Sequence, residues 1–497
     1  MIRVSYNFPW IYYTYTYTHI LYLYISKRFN QEIKKFLSIE GPKENINEET
    51  LSLLTPDTPR TPVFYILPKI HKSTRPPPGR PIVSGYGSPT ERLSSYVDEI
   101  LQPIVKNLKS HIKNTDHFIE RLKEVQQPLP DDVILVTIDA QSLYTNIPHN
   151  LGEEAVNSFL SIRPKPASPS TKFVMSLINM ILTMNNFRFK NQNYLQINGT
   201  AMGTRMAPAY ANLFMGKLEE DFLNSQPYKP LMWLRFIDDI FMIWNNSTEL
   251  LKNFLENLNK FSILKFTWNF SKNILTFLDV DVFVQSGYLK TKIHIKETNT
   301  MDYLHFNSCH PVHVKKSIPK GLSVRAKKLC SNNVDFHNYV DKLGNAFVRR
   351  NYPPKFVHNQ IKHKKLHVDQ SKSVQNDVQF VTKYFPGLYK TNNVLKTAYK
   401  ILESSPITKN LFLKPPRIVF SRNTNLKNLL VRPKLPQIKQ QNSKKNISGC
   451  RPCNDKRCAT CKIIKPSNLF NSSTTNKTYP IIGNINCKTK NVVYQLT

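Results

Sequence analysis

The spacing of hydrophobic positions divides the chain into helical and extended segments. Helices are predicted over residues 94–122, 151–160, 171–184, 207–222 and 250–261, and residues 26–50 predict a charged amphipathic helix followed by a polar linker. Short β-branched or aromatic runs predict strands or hairpins over 63–68, 81–85, 133–139, 187–197, 232–244, 266–270 and 275–284. Pro103 is expected to kink or split the helix over 94–122. This irregular mixture predicts an α+β fold and disfavours a doubly wound parallel sheet.

The first residues are aromatic without being a membrane span. Residues 11–25, IYYTYTYTHILYLYI, are interrupted by threonine and histidine, and a spanning helix needs about 18 or more apolar residues. We expect an edge strand or a poorly defined start of the chain here, with a signal or membrane role as the alternative. The proline-rich stretch over 55–89 is predicted to be extended.

The net charge of the chain indicates what kind of partner it binds. Its 497 residues carry a formal net charge of +35. A polyanion relieves the self-repulsion of such a chain, and neutralising phosphates releases counterions, so nucleic acid is the leading partner. An anionic membrane surface is the alternative.

Two acidic motifs interrupt apolar strands. Asp238 and Asp239 are adjacent within FIDDIF, where two like charges in apolar surroundings are costly unless cations neutralise them. Asp139 ends the apolar run VILVTID, a place that holds a metal ligand rigidly. Taken singly, the first motif is also compatible with a surface turn and the second with a helix cap.

Two further motifs suit phosphate binding. Residues 199–208, GTAMGTRMAP, lead into a helix, and glycine lets backbone approach a ligand at a helix N-terminus. A basic loop, Lys69 to Arg80, lies between two short strands. An ordinary loop and a solvated basic loop are the corresponding alternatives.

The order of these motifs carries more information than any one of them. LPKIHK, RPIVS, DAQSLYTNIP, GTAMGTRMAPAYANLFMG, RFIDDIF, TFLDV and YLHFNSCHP follow one another over residues 55–350. Together they resemble the reverse transcriptases of Penelope-like retroelements. The resemblance implies a right-hand polymerase with fingers, a palm built on an antiparallel sheet, a helical thumb and a small Cys-rich C-terminal module. The implied boundaries are 1–54 for an N-terminal low-complexity segment and linker, 55–130 for the fingers, 131–290 for the palm, 291–403 for the thumb, 404–448 for a basic linker, 449–465 for the cysteine module and 466–497 for the start of an endonuclease domain.

The resemblance assigns the catalytic residues. Asp139, Asp238 and Asp239 would hold two Mg²⁺ or Mn²⁺ ions, with Asp239 as the weaker ligand. Tyr144 stands where reverse transcriptases carry an aromatic steric gate against the ribose 2′-hydroxyl. The implied reaction is RNA-directed DNA synthesis from deoxynucleoside triphosphates on an RNA template and DNA primer.

Other residues would bind the nucleotide and the duplex. Lys69, Lys72 and Arg80 are candidates for the triphosphate, with Arg80 preferred because a guanidinium can bind phosphate through two hydrogen bonds. Met202 and Gly203 would line the nucleotide and template pocket. Six basic thumb residues would contact duplex phosphates, and they are Lys315, Lys316, Lys320, Arg325, Lys327 and Lys328. Asp279 and Asp281, near the primer grip, are predicted to be structural.

Four cysteines near the end of the chain suggest a metal. Cys450, Cys453, Cys458 and Cys461 form two C-x2-C pairs, and four thiolates make a closed tetrahedral zinc site. Free thiols or a transient disulfide are the alternatives.

The last residues resemble only the approach to a GIY-YIG endonuclease. Residues 477–497 leave no sequence for the Tyr, Arg and Glu of a nuclease centre, so we expect no DNA cleavage. A degenerate remnant that binds nucleic acid without catalysis, and an RNA-templated RNA polymerase, are the alternative functions. Nuclear residence is expected from the resemblance, with the cytoplasm as the alternative. No membrane partner is expected, and the oligomeric state is open.

Overall fold

The structure is a computed structural model of one chain. It describes residues 11–13, 21–69, 77–130, 132–164, 166–190, 192–361, 379–408, 417–421, 425, 449–453, 458–472, 477–481, 484–487 and 489. The chain divides into two compact units, Met1–Phe420 and Ser421–Thr497. No helix in these ranges is both long and apolar enough to cross a membrane.

The helices and strands alternate irregularly along the chain. The helices are α1 (Leu21–Glu40), α2 (Glu48–Leu53), α3 (Glu91–Lys106), α4 (Thr115–Leu122), α5 (Leu143–Asn146), α6 (His149–Ser161), α7 (Thr171–Thr183), α8 (Ala207–Ser225), α9 (Thr248–Phe261), α10 (Val312–Leu329), α11 (Asn333–Arg349), α12 (Pro354–Ile361) and α13 (Tyr389–Ser404). The strands up to residue 421 are β1 (Ile11–Tyr13), β2 (Val63–Pro68), β3 (Gly79–Ser84), β4 (Ile134–Ala140), β5 (Asn186–Phe189), β6 (Gln192–Gln196), β7 (Met232–Phe236), β8 (Asp239–Trp244), β9 (Phe266–Ser271), β10 (Ile274–Phe277), β11 (Val280–Gln285), β12 (Tyr288–Ile293), β13 (Gln379–Lys383) and β14 (Arg417–Ser421). The second unit contains β15 (Gly449–Cys450), β16 (Leu469–Asn471), β17 (Thr478–Pro480) and β18 (Asn484–Ile485).

A four-stranded antiparallel sheet, in the order β7-β8-β4-β9, forms the palm. Side chains alternate across a strand, so β4 sends Val136 and Ile138 to one hydrophobic core and Leu135 to a second core on the other face. Strand β8 divides in the same way, with Met242 in the first core and Phe241 in the second. Both faces of the central strands are therefore buried, which explains their almost continuous apolar sequences.

The fingers sheet draws on two distant parts of the chain. Its strand order is β1-β6-β5-β2-β3, and β2 pairs with β5 in parallel through Val63 and Arg188. Strands β5 and β6 fall within 131–290, the range that the resemblance implies for the palm. Strand β1 pairs with β6 at the edge of this sheet, so the expected edge strand is confirmed for residues 11–13, whereas residues 21–25 of the same stretch belong to helix α1.

Two predicted elements are divided differently in the structure. The helix over 94–122 is two helices, α3 and α4, but the break lies after Lys106 and Pro103 remains inside α3. The run over 275–284 is two strands, because Leu278 has a φ of +53° and the chain reverses between Phe277 and Val280. Strands β10, β11 and β12 form a separate antiparallel sheet.

The helices after residue 300 have a core of their own. Leu343, Phe347, Tyr352 and Val357 are buried together, and partly buried aromatic and aliphatic residues from 303 to 361 pack against them. Three residues separate α10 from α11, and the side chain of Asn332 accepts a hydrogen bond from the backbone N–H of Asp335 at the start of α11. This helical body corresponds to the predicted thumb.

Candidate active site

Strand pairing brings the three predicted acids to one end of the palm sheet. In the register of β4 with β8, Asp139 lies directly opposite Asp239, a position where Cα atoms are about 4.5–5.5 Å apart. Asp238 occupies the two-residue turn before β8, and its carbonyl accepts a 3.0 Å hydrogen bond from the backbone N–H of Ala140. Residues about 100 positions apart in sequence therefore meet at this edge.

The two neighbouring acids have different surroundings. Asp239, with Asp139, lines a cavity of about 630 Å³ whose wall also includes Asp279 and Arg325. Asp238 does not line this cavity. Its carboxylate interacts instead with the charges of Arg80 and Lys69, on the fingers side.

Burial raises the pKa of two groups at the site. It raises the pKa of the Asp238 carboxyl above its ordinary value of 3.8, and the nearby Asp139 charge adds to this effect. Burial, assisted by the Asp238 charge and opposed by Arg80, raises the pKa of Tyr144 to about 12. Tyr144 is therefore a neutral phenol near Asp238 and Arg80.

Glycines let the 199–203 loop pack against the site. Gly199 has a φ of +68°, and a Cβ atom there would come within 2.6 Å of the carbonyl oxygens of Tyr144 and Thr145. Gly203 has a φ of +143° and leaves no room for a Cβ against the Val83 carbonyl. The Met202 carbonyl accepts a hydrogen bond from the Val83 N–H at 3.1 Å. The loop thus joins the fingers strand β3 to the segment that carries Tyr144.

The fingers hairpin presents two of the three predicted basic residues. Arg80 is exposed in β3, opposite Leu67 of β2. Lys69 follows β2, and its N–H donates to the Pro78 carbonyl at 2.8 Å. Lys72 lies outside the described residues.

The thumb is tied to the rim of the cavity by ion pairs. The Arg325 guanidinium lies 2.6 Å from the Asp279 carboxylate, which also accepts a hydrogen bond from the Thr115 hydroxyl at 3.2 Å. Lys328 lies 3.4 Å from Asp116. Two of the six basic residues predicted to contact phosphate are thus paired with acids in this structure.

Three of the other thumb cations share one face of α10. Lys316, Lys320 and Lys327 are exposed. Lys320 and Lys327 follow Lys316 by 4 and 11 residues, which places the three side chains along one line of the helix. Lys327 also donates to the side chain of Asn333 at 2.8 Å. Asp281, in contrast, accepts hydrogen bonds from Thr276 and His294 within the β10–β12 sheet, which fits the predicted structural role.

The ligand chemistry of the acid group fits a hard cation. Carboxylate oxygens are the donors that Mg²⁺ and Mn²⁺ prefer. The three carboxylates do not form a closed cluster. In the described ranges, the only group of three or more His, Cys, Asp or Glu side chains whose ligand atoms all lie within 4.8 Å of one another is made of cysteines. Two ions about 3.5–4 Å apart are held by ligands distributed over both positions. The roles of these residues stay predictions.

The C-terminal unit gathers four sulfur atoms, but one differs from the predicted set. The group consists of Cys453, Cys458, Cys461 and Cys487, with all four sulfurs within 4.8 Å of one another. Cys450 is not in the group, because it belongs to β15, whose pairing with β18 brings Cys487 close. The Cys461 sulfur lies 3.2 Å from that of Cys487, which lowers the pKa of Cys461 to about 6. The same contact raises the pKa of Cys487 to about 12, so one sulfur of this pair is favoured as the thiolate that a metal binds.

Sequence reasoning missed one buried group beside the acids. Arg235 is completely buried and lies 2.7 Å from the carboxylate of Glu219, which is also buried. The signal was a lone arginine inside the apolar run over 232–244. Buried charges are rare unless paired, so that arginine could have been expected to have a buried acidic partner.

An antiparallel palm sheet, a fingers sheet and a helical thumb together make the right-hand polymerase fold, so the predicted fold class is confirmed. Residues 88–306 match the family model of reverse transcriptase (RNA-dependent DNA polymerase), and residues 302–362 match the animal helix-turn-helix domain. The chain thus carries a reverse transcriptase domain followed by a helix-turn-helix domain, which coincides with α10–α12. No curated protein matches the chain.

Several solved polymerases are distantly similar. The apo telomerase of Candida tropicalis, truncated from its C-terminal domain, is 15% identical, with coverage of 48% of this chain and 56% of that chain and a TM-score of 0.37. A Candida albicans telomerase in complex with a fragment of telomeric RNA is 11% identical, with coverage of 72% and 63% and a TM-score of 0.42. The Sicinivirus 3Dpol RNA-dependent RNA polymerase is 12% identical, with coverage of 67% and 70% and a TM-score of 0.42. The chain spans 56% and 63% of the lengths of these two telomerases.

Proposed function

We propose that this chain is an RNA-directed DNA polymerase of a Penelope-like retroelement. The observation that carries the proposal is the pairing of Asp139 with Asp239 beside the turn that holds Asp238. The matched reverse transcriptase domain over 88–306 supports the same reaction class. The Penelope-like subtype rests on the ordered motifs of the sequence.

Asp139, Asp238 and Asp239 would hold two Mg²⁺ or Mn²⁺ ions. Such ions lower the pKa of the attacking hydroxyl and stabilise the charge of the leaving pyrophosphate. The protein contributes rigid placement, since two of the acids lie on paired strands with both faces buried.

The fingers side of Asp238 would bind the incoming nucleotide. Arg80 and Lys69 place positive charge there for a triphosphate. Tyr144 is close enough to both Asp238 and Arg80 for their charges to affect its pKa. Its ring would exclude a ribose 2′-hydroxyl, and Met202 and Gly203 would line the remaining wall.

The cavity lined by Asp139 and Asp239 would receive the primer end, and the duplex would continue from there toward the thumb. The exposed line of Lys316, Lys320 and Lys327 faces solvent and suits phosphates without reading sequence. A retroelement polymerase would act in the nucleus, a proposal that the location of a fluorescent fusion tests.

Primer extension on an RNA template with Mg²⁺ or Mn²⁺ tests the polymerase proposal. We expect wild type to extend the primer, Asp238→Ala to fail, and the exposed Asp132→Ala at the start of the same palm region to behave as wild type. Equal extension by wild type and Asp238→Ala would show that the centre is assigned wrongly. A wild type that binds the template–primer without extending it would favour a non-catalytic remnant.

Nucleotide choice separates the DNA polymerase from the alternative RNA polymerase. Wild type should incorporate deoxynucleotides, and Tyr144→Ala should admit ribonucleotides at a rate about tenfold higher or more, as expected when a pocket loses a discriminating side chain. Preference of the wild type for ribonucleotides would establish the RNA polymerase instead.

We also propose that the cysteine group binds one Zn²⁺ with a structural role. Four thiolates form a closed tetrahedral site, and the sulfurs of Cys453, Cys458, Cys461 and Cys487 are already close together. Metal analysis of the full chain should find one zinc in wild type and in Cys450→Ser, and none in Cys487→Ser. Retention of zinc by Cys487→Ser together with its loss in Cys450→Ser would show that the ligands are the four cysteines predicted from the sequence.

A further inference from the structure

Arg235 is a fully buried cation whose hydrogen bonds reach the turn with the catalytic acids. Its side chain is 0% exposed. Nε donates to Glu219 at 2.7 Å, Nη2 donates to the Asn212 carbonyl at 3.1 Å, and Nη1 donates to the Asn212 side-chain oxygen at 2.6 Å. Nη1 also donates to the Ile237 carbonyl at 3.1 Å. Ile237 directly precedes Asp238.

Helix α8 provides the anchor for this guanidinium. Asn212 and Glu219 are seven residues apart and so lie on one face of the helix. Glu219 is 4% exposed and accepts two further hydrogen bonds, from the Ser110 hydroxyl at 2.6 Å and the Trp233 ring N–H at 2.9 Å. A buried carboxylate with this many donors holds its position, and through it α8 holds Arg235.

The turn needs such support because its backbone is strained. Ile237 has a φ of +59°, which is an outlier for a β-branched residue. Such a conformation persists where the surroundings over-determine it. Arg235 binds the carbonyl of Ile237, and the N–H of Ala140 binds the carbonyl of Asp238. The peptide groups before and after the Asp238 Cα are thus both held by a hydrogen bond.

We propose that Arg235 is a positioning residue that fixes the Ile237–Asp238 turn and thereby sets the affinity of the acids for divalent metal. It touches no reacting group, so its effect passes through Asp238 and Asp239. The inference rests on the proposed function to the extent that these acids bind Mg²⁺. A purely structural ion pair would change stability and leave the metal dependence of the protein unaltered.

Two variants separate these roles. Arg235→Lys keeps the charge beside Glu219 but loses the planar fork that reaches Asn212 and Ile237 together. Arg235→Met with Glu219→Gln removes both buried charges at once, so that neither is left unpaired. The control is Lys217→Met with Asp221→Asn, which removes an exposed 2.7 Å ion pair from the same helix.

The measurements are the rise in Tm on titration with MgCl₂, without nucleic acid, and the Mg²⁺ concentration for half-maximal primer extension. Mg²⁺ should raise the Tm of wild type and of the control, because a ligand of the folded state stabilises it, and should not raise that of Asp238→Ala. Both Arg235 variants should need about 10- to 100-fold more Mg²⁺ in each measurement, the range for residues that orient metal ligands. If the double variant does not fold, Arg235→Lys decides.

The outcomes distinguish this inference from the polymerase proposal. Folded Arg235 variants with the Mg²⁺ dependence of wild type would overturn the positioning role while leaving the polymerase intact. A wild type that extends no primer, but whose Mg²⁺-dependent Tm rise is weakened in the Arg235 variants, would refute the polymerase and retain the positioning role. Absence of any Mg²⁺ effect on the wild-type Tm would overturn the inference directly.

Discussion

Two hairpins of this protein have nearly the same turn and use it differently. Phe-Ile-Asp joins β7 to β8, and Phe-Leu-Asp joins β10 to β11. Each has a bulky apolar residue with positive φ followed by an aspartate, with φ of +59° at Ile237 and +53° at Leu278. Asp238 is partly buried beside Asp139, whereas Asp279 is half-exposed and paired with Arg325. The local sequence therefore produces the turn, and its neighbours decide what the carboxylate does.

The support of the two turns also differs. The first is bound by a buried guanidinium anchored on α8, and the second is bound at its surface by an arginine of the thumb. Exposed ion pairs contribute about 0–1 kcal/mol, so the second turn can exchange its partner at little cost. The first turn has no comparable freedom.

The largest contrast is expected in catalysis. Asp238→Ala should reduce primer extension by about 10³-fold, because a metal ion is worth several kcal/mol of barrier and 1.36 kcal/mol is a factor of ten. Asp279→Ala should reduce extension by less than about tenfold, the range of a surface contact. Single-turnover extension rates measure both, and equal losses would erase the functional difference between the turns.

A smaller contrast is expected in nucleic-acid binding. Asp279→Asn frees Arg325 to contact a phosphate. The plot of log affinity against log salt should therefore become steeper by the amount expected for about one additional phosphate contact. Asp238→Asn should leave this slope unchanged in the absence of divalent metal. Binding of a labelled template–primer across a salt series provides the measurement. An unchanged slope in Asp279→Asn would mean that Arg325 does not contact the duplex.

The smallest contrast is expected in stability without metal. The pKa of Asp238 is raised in the folded protein, so its stabilising contribution is present when it is protonated at low pH and is lost as pH rises through the folded pKa. Asp238→Asn should therefore have a higher Tm than wild type at pH 7 in EDTA, with the difference disappearing near pH 3. Asp279→Asn should show no such gain, because it loses an exposed ion pair. A Tm for Asp238→Asn below that of wild type at pH 7 would contradict the burial argument.

The predictable parts of the fold are those that depend on local pattern. The strands that carry Asp139 and Asp239 are apolar on both faces, so their positions, and that of the turn with Asp238, could be predicted within a residue or two. Helix α8 follows its glycine turn as expected. The run over 275–284 predicts one strand, and its division into two could not be predicted because a positive φ is unusual for a side chain of the size of Leu278.

The sequence by itself determined the α+β class, the apolar segments that carry the acids and the cysteine-rich end, because hydrophobic period and residue chemistry are local properties. Only the tertiary structure decided that β5 and β6 join the fingers, that Cys487 replaces Cys450, and that Arg235 is bound to the turn of the acids. Each of these depends on strand pairing or burial between segments distant in sequence. Neither the period of one segment nor the spacing of one motif contains that information.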